Sequence, residues 1–320
     1  MRVLVTGATG FLGPHLLRAL AERGHDLRVL ARPSSDARAL GGVEVVRASF
    51  DDRAALEAAM RGAGAIVHAA GGGIATEVRA IYRANTGSTR ALLRAAPSSL
   101  RRFVLVSSLA AHGPSLADRP AREIDRDEPR SHYGKSKLAA EGIALGHRPR
   151  FDVVILRPPA LYGPGEHRMA PLFRAAARGF VPMVHPHGTL SLLHGADCAR
   201  AIAIATDHPA ARGTYYAAEP RAYGRREMAE HIGRALGRRV RVVPVAPAAL
   251  SIAGVANEIA ARWTGAEPLL TGDKARDAGE PHQACDPTRL TSELGWRCEH
   301  DFERGAREAL ASYRERGLVP

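Results

Sequence analysis

The sequence predicts an α/β fold, a doubly wound parallel sheet with a smaller, interleaved C-terminal lobe. Three observations predict it. Short β-branched runs alternate with helical patterns through the first half of the chain. A glycine cluster, Gly7, Gly10 and Gly13, separates the first such run from the first helical pattern. After Pro158 the alternation breaks up, and proline and glycine gather at 157–165 and 181–188. Strands alternating with helices build a parallel sheet covered on both faces, and right-handed crossovers wind it doubly.

The elements follow in order. Residues 3–6 read as a strand. Residues 11–22 read as a helix with Leu12, Leu16, Leu17 and Leu20 on one side. Strands are expected at 26–30, 43–46 and 65–68, with a helix at 52–60 before the last of these. A long helix at 76–95, a strand at 102–106, a helix at 131–145 and a strand at 152–156 complete the first half. Later helices are expected at 171–179, 197–205, 225–236 and 302–316. The apolar stretch 240–261 holds Pro244, Pro247, Asn257 and Glu258. It reads as a strand and an amphipathic helix, and no stable membrane span is expected. Residues 1–165 form the sheet domain, with returns to the sheet near 189–217. Residues 166–320 form mainly the smaller lobe.

Composition narrows the class. Of 320 residues, 45% are apolar and 24% charged, which excludes a disordered chain. Cys198, Cys285 and Cys298 form no CxxC pair. They make neither a disulfide framework nor a cysteine zinc site, and they fit a reducing compartment. The first strand runs straight into a turn and leaves no room for a signal-peptide core, so a cytoplasmic protein is expected. The formal net charge is +12. Of the 45 cationic residues only Lys135, Lys137 and Lys274 are lysines; the other 42 are arginines, dispersed along the chain. Dispersal argues against nucleic-acid binding and for a small-molecule partner.

The glycines carry the first chemistry. Residues 6–13 read TGATGFLG, a GxxGxxG spacing between strand and helix. Glycine lets the backbone turn sharply and approach a pyrophosphate, while the helix start offers free N–H groups and a positive dipole end. This is a variant of the dinucleotide fingerprint, so residues 1–165 read as a Rossmann domain. After the second strand comes Ala31-Arg32-Pro33-Ser34-Ser35, with no acid until Asp36. An arginine there would meet a 2′-phosphate. NADP(H) is therefore favoured, with NAD(H) left open.

Tyr133 and Lys137 stand four apart on an expected helix and share a face. An ammonium beside a phenol favours the phenolate and lowers its pKa. Such a tyrosine would exchange a proton with an alcohol or carbonyl. Lysine is so scarce here that Lys137 is hard to read as surface filling; Lys135 lies on another face. Ser108, at the end of the strand 102–106, would hydrogen-bond the same substrate oxygen.

Together with HAA at 68–70, Asn85, VSS at 106–108 ahead of Gly113, YGKSK at 133–137 and RPPALYGPG at 157–165, these motifs resemble the extended short-chain dehydrogenase/reductase family. That family includes the NAD-dependent epimerase/dehydratase group. The resemblance runs from residue 1 to about 315, and residues 285–296 are similar to the family's closing segment. It implies that Gly7, Gly10 and Gly13 hold the pyrophosphate with the backbone N–H groups of Phe11 and Leu12. Ser49 and Phe50 stand where the adenine would bind. Ala69 and Ala70 would line the cofactor, Asn85 would anchor the long helix, and Ser107 would join the cofactor site. Ser108, Tyr133 and Lys137 would be the catalytic triad, with Lys137 also on the nicotinamide ribose. Pro158 and Leu161 would border the nicotinamide. A homodimer through the helices 76–95 and 131–145 would fit the family's habit.

The sequence also departs from the family. Ala48-Ser49-Phe50 replaces a frequent Gly-Asp pair, and His112 replaces a common tyrosine that faces the substrate in some members. The Arg32 pattern is more similar to the reductases and hydroxysteroid-dehydrogenase-like members. His167, Arg168, His185, His187 and His194 follow the nicotinamide loop without HxxxH or HExxH spacing, so no metal is expected. Arg168 would pair with a substrate carboxylate or phosphate. His194 and Asp197 read as structural. Three functions follow: hydride transfer between NAD(P)(H) and a carbonyl/alcohol pair, epimerisation or dehydration of a nucleotide sugar with tightly held NAD, and a non-catalytic NAD(P)-binding sensor or assembly factor. The intact Ser–Tyr–Lys set argues against the last.

Overall fold

The first strand, β1 (Arg2–Thr6), turns at the glycine cluster into α1 (Leu12–Glu22). The structure, a computed structural model, describes residues 1–72, 75, 77–264, 268 and 270–320. β2 (Asp26–Ala31), β3 (Glu44–Arg47), α2 (Arg53–Ala59) and β4 (Ala65–His68) follow in the expected order. The expected helix 76–95 is three pieces: α3 (Val78–Tyr82), a π-helical turn (Arg83–Gly87) and α4 (Ser88–Ala95). Thr76, its expected first residue, lies outside the described residues. π turns inside helices gather at functional sites, and this one holds Asn85. β5 (Arg102–Val106), α5 (His132–Leu145) and β6 (Asp152–Arg157) close the first half.

The second half is built of shorter pieces. It runs β7 (Ala160–Tyr162), α6 (Ala170–Ala177), β8 (Phe180–Met183), β9 (Thr189–Leu190), β10 (Leu192–His194), α7 (Gly195–Asp207) and β11 (Gly213–Tyr216). Then come β12 (Tyr223–Gly224), α8 (Arg225–Ala235), β13 (Arg241–Pro244), α9 (Pro247–Thr264) and α10 (Gly272–Ala278). β14 (His282–Gln283), α11 (Thr288–Leu294) and α12 (Phe302–Glu315) end it. The helices α10 and α11 and most of these strands escaped sequence reading, because a strand of two to four residues has no period to detect.

Seven strands form the main sheet in the order β11-β6-β5-β4-β1-β2-β3. Every neighbouring pair is parallel. The order reverses between β1 and β4, and ligands of open α/β sheets bind outside the carboxyl ends of the strands at such a point. Of the stretch 189–217, only β11 joins this sheet. β9 pairs with β12 and β14, and β10 pairs with β7, in small separate sheets.

Packing follows from the alternation. β4 and β5 are buried along their whole length, as strands covered on both faces must be. On one face Leu16 and Leu20 of α1 meet Ile202 of α7, with Leu290 and Trp296 beside them. On the other, Leu56, Leu92, Leu93 and Ala140 from α2, α4 and α5 cover the sheet. A third core joins α6, α8 and α12 through Phe173, Ile232 and Tyr313. α9 differs from all of these. Its buried residues are Gly254 and Ala261, and Ile252, Val255, Ile259 and Trp263 stay exposed. No helix among the described residues is long and apolar enough to cross a membrane.

Candidate active site

Gly7 adopts φ +81°. A Cβ there would come within 2.5 Å of Ala70 N and 2.7 Å of Ala69 O. The turn is thus pressed against the end of β4, which no other residue type allows. At Gly13 a Cβ would lie 1.9 Å from Ala8 O, so the third glycine lets α1 start hard against the turn. Gly10 is different. A Cβ there would meet only Gly7 O, at 3.5 Å, and the residue is exposed. Nothing inside the protein requires that glycine; bare backbone faces the crevice. A pyrophosphate fits this cradle, lying against Gly10 and the N–H groups of Phe11 and Leu12.

Around the cradle, Thr6 and His68 close the carboxyl ends of β1 and β4. Thr6 Oγ1 lies 2.7 Å from His68 Nδ1 and accepts the N–H of Ala70 at 3.2 Å. His68 Nε2 lies 3.1 Å from Ser88 Oγ. Burial pushes this imidazole down to about 3, so it stays neutral. Ala69 and Ala70 are half-buried at the cradle's edge. Arg32, just past β2, is exposed. Arg47 braces its loop, donating to Pro33 O at 3.0 Å and Ser35 O at 2.9 Å. Asp36, the first acid after β2, is held by Arg38 at 2.7 Å. Ser49 is exposed and its Oγ accepts the Asp51 N–H at 3.2 Å. Phe50 stands edge-on to the His68 ring at 5.9 Å.

Asn85 sits at the centre of the π turn. Its amide donates to Gly72 O at 2.8 Å and to Ser136 Oγ at 3.0 Å. It joins the loop after β4 to α5. α5 carries Tyr133 and Lys137, and three of the four N–H groups that its start leaves unpaired find side-chain acceptors. Asp273 of α10 accepts those of His132 and Tyr133, at 2.7 and 2.9 Å. Ser131 Oγ accepts that of Gly134 at 2.9 Å. The N–H of Lys135 then makes the first bond of the helix itself, to Ser131 O at 3.0 Å. Ser131 Oγ in turn donates to Asp277 at 2.7 Å.

The structure brings Ser108, Tyr133 and Lys137 together. Ser108 caps a short 3-10 turn, its Oγ accepting from Ala110 N at 3.2 Å, and its side chain lies near enough to the Tyr133 phenol to favour the phenolate. Lys137 Nζ lies 5.9 Å from the Tyr133 ring centroid and donates to Val106 O at 3.0 Å. Burial pushes the Lys137 ammonium down to about 8. The phenol moves up, not down as sequence alone expects. Burial outweighs the effect of Ser108 and the field of Arg168, which both favour phenolate. Pro158 is buried beside Ser108, its carbonyl accepting the Leu109 N–H at 2.8 Å, and Leu161 on β7 is half-buried.

Two side chains of this region join a buried network. The Ser107 hydroxyl donates to Glu141. Glu141 pairs at 2.6 Å with Arg157, which also grips Asp127 at 2.7 Å. The Ser107 hydroxyl is committed to this buried network, and its backbone is not. His112 is likewise buried, 3.1 Å from Asp127, and faces that network. Elsewhere, His194 accepts the Ala196 N–H at 3.2 Å and Asp197 those of Glu299 and His300, holding α7 to the chain before α12. His194, His300 and Glu308 bring ligand atoms within 4.8 Å of one another. The two rings stack at 4.0 Å and 14°, so their lone pairs run in parallel planes and do not converge on one ion.

Sequence reading missed Lys274. Its Nζ lies 5.6 Å from the Tyr133 ring centroid. The scarcity of lysine that marked Lys137 would have marked it too.

Strand, glycine turn and helix define a Rossmann-type chain with a Ser–Tyr–Lys cluster at the sheet's carboxyl edge. It belongs to the NAD dependent epimerase/dehydratase family, whose sequence profile matches residues 3–218. Members bind a nicotinamide cofactor. The chain is similar to a ceramide reductase of Caulobacter vibrioides, 38% identical over 200 residues, which cover 62% of this chain and 58% of that protein. It is 29% identical to a UDP-glucose 4-epimerase of Vibrio cholerae over 76% of this chain and 78% of that one. The crystal structure of gox2253 shares the fold with TM-score 0.82 at 24% identity, over 99% of both chains.

Proposed function

We propose that this protein is an NADP(H)-preferring oxidoreductase acting on the carbonyl/alcohol pair of a small substrate. The observation that carries it is the meeting of Ser108, Tyr133 and Lys137 beside the glycine cradle, at the point where the strand order reverses. The dinucleotide, when bound, supplies or accepts the hydride. Gly7, Gly10, Gly13, Phe11 and Leu12 would hold its pyrophosphate, and Ser49, Phe50, Ala69 and Ala70 its adenosine side. Lys137, Pro158 and Leu161 would hold its nicotinamide end. Ser108 orients the substrate oxygen. Tyr133 gives or takes the proton on that oxygen, and Lys137 offsets the charge left on the phenol.

NADP(H) is favoured because Arg32 is exposed at the strand end while Asp36, the acid that would take ribose hydroxyls, is occupied by Arg38. The similarity to a ceramide reductase supports reduction. The longer match to a UDP-glucose 4-epimerase supports the second reading, a sugar epimerase with tightly held NAD. One experiment separates them. The purified protein is denatured and the released nucleotide identified; the stripped protein is then titrated with NADPH and NADH. Tighter binding of NADPH, lost by about ten- to a hundredfold in Arg32→Ala, is the expected result. One equivalent of NAD retained through purification would move the function to an epimerase.

A further inference from the structure

Tyr133 has cations on two sides. Lys137 approaches its ring from within α5, at 5.9 Å, and Lys274 from α10, at 5.6 Å. The chain has three lysines, and two of them meet at this one ring. α10 is fixed there by Asp273 and Asp277, which hold the start of α5.

The ammonium of Lys274 is half-buried, and burial pushes its pKa down. Among the described residues, the charges of Asp273, Asp277, Glu166 and Arg168 reach it. The carboxylates are engaged elsewhere. Asp273 accepts from α5 and pairs with Arg276 at 3.3 Å, and Asp277 accepts from Ser131. Glu166 accepts the N–H groups of Arg168 and Met169, at 2.8 and 2.9 Å. Among the described residues the Lys274 ammonium has no hydrogen-bond or ion-pair partner. Arg168 is exposed, its guanidinium has no such partner either, and its field reaches both Lys274 and Tyr133. Two cations with no direct hydrogen-bond or ion-pair partner among the described residues flank the one phenol positioned for proton exchange. A half-buried unpaired cation is costly unless an anion completes it.

We infer that Lys274 and Arg168 form an anion-binding subsite over Tyr133, and that the substrate carries a carboxylate or phosphate close to its reacting carbonyl or alcohol. The second clause rests on the proposed oxidoreductase chemistry; the subsite itself does not.

The test uses octanoate, octyl phosphate and octanol, titrated calorimetrically into the full chain without dinucleotide. The tail is common to all three, so only the head group differs. At least one anion is expected to bind ten or more times tighter than octanol, and the tighter of the two identifies the substrate anion. Lys274→Met should abolish that preference and leave octanol binding unchanged, while Lys274→Arg should keep it. Arg168→Met, at an exposed position, should weaken it severalfold and serves as the check if Lys274→Met does not fold. Equal binding of all three probes, or a preference that survives both Met variants, would overturn the subsite. So would a Lys274→Met protein whose only change is a shifted ultraviolet titration of Tyr133, since Lys274 would then serve the phenol alone. Because no dinucleotide is present, a failure of NADPH to bind sinks the proposed function without touching this result.

Discussion

Tyr133 stands between two walls of different construction. On one side, Ser108 comes from the turn after β5 and Lys137 from α5, within 30 residues of one another in sequence, and Lys137 is tied to the backbone at Val106 O. On the other, Lys274 and Arg168 come from the second half of the chain and end in cations that no described residue pairs. The first wall is rigid and satisfied; the second is fixed at its base by Asp273 and Asp277 but open in charge. The difference teaches a division of labour. Chemistry that is the same for every substrate needs fixed geometry, whereas recognition needs groups left unsatisfied until a ligand arrives.

The largest expected effect tests the first wall. Tyr133→Phe should lower turnover by about a hundred- to ten-thousandfold, the usual worth of a positioned proton donor, with NADPH binding unchanged. The measurement is steady-state rate beside a fluorescence titration of the cofactor. Full turnover in the phenylalanine variant would remove Tyr133 from the chemistry and break the contrast.

His68 tests how rigid that wall is. Its pKa falls from 6.5 to about 3 through burial, so between those values the unfolded chain binds more protons than the folded one. Stability is therefore full above pH 6.5 and is lost as pH falls toward 3. From this residue alone the loss should be about 3 kcal/mol by pH 4. Burial also lowers His194, to about 4, and His15, His25 and His231 in direction, so the whole protein's slope is steeper. Urea unfolding at pH 7 and pH 4 should show a smaller difference in His68→Gln than in the parent. An equal difference would mean that His68 is not held neutral.

How far each wall was legible follows from how it is encoded. The glycine turn, the strands of the first half and the Tyr133/Lys137 spacing are local, so period and spacing expose them. The spacing to Gly113 separates Ser108 from Ser107, but nothing local announces that the Ser107 hydroxyl meets Glu141 and Arg157. β11 adds beside β6 across 55 residues of intervening chain, and nothing local announces it. Lys274 sits on a seven-residue helix too short for a detectable period. Its place depends on Asp273 finding N–H groups 140 and 141 residues away.

That last contact gives the smallest and most discriminating prediction. Asp273→Ala removes the acceptor for two of the four unpaired N–H groups of α5, and a carboxylate from the positive end of its dipole. Loss of such a cap costs about 1–2 kcal/mol. The melting temperature should fall by a few degrees. The α1 cradle lies on another helix, so NADPH affinity should be retained. Lys274, no longer keyed to α5, should lose its hold on an anion, and the octanoate or octyl phosphate preference should weaken with the stability. A variant that is destabilised yet keeps its full anion preference would show that α10 is positioned by its packing against α9, and that the two walls are independent.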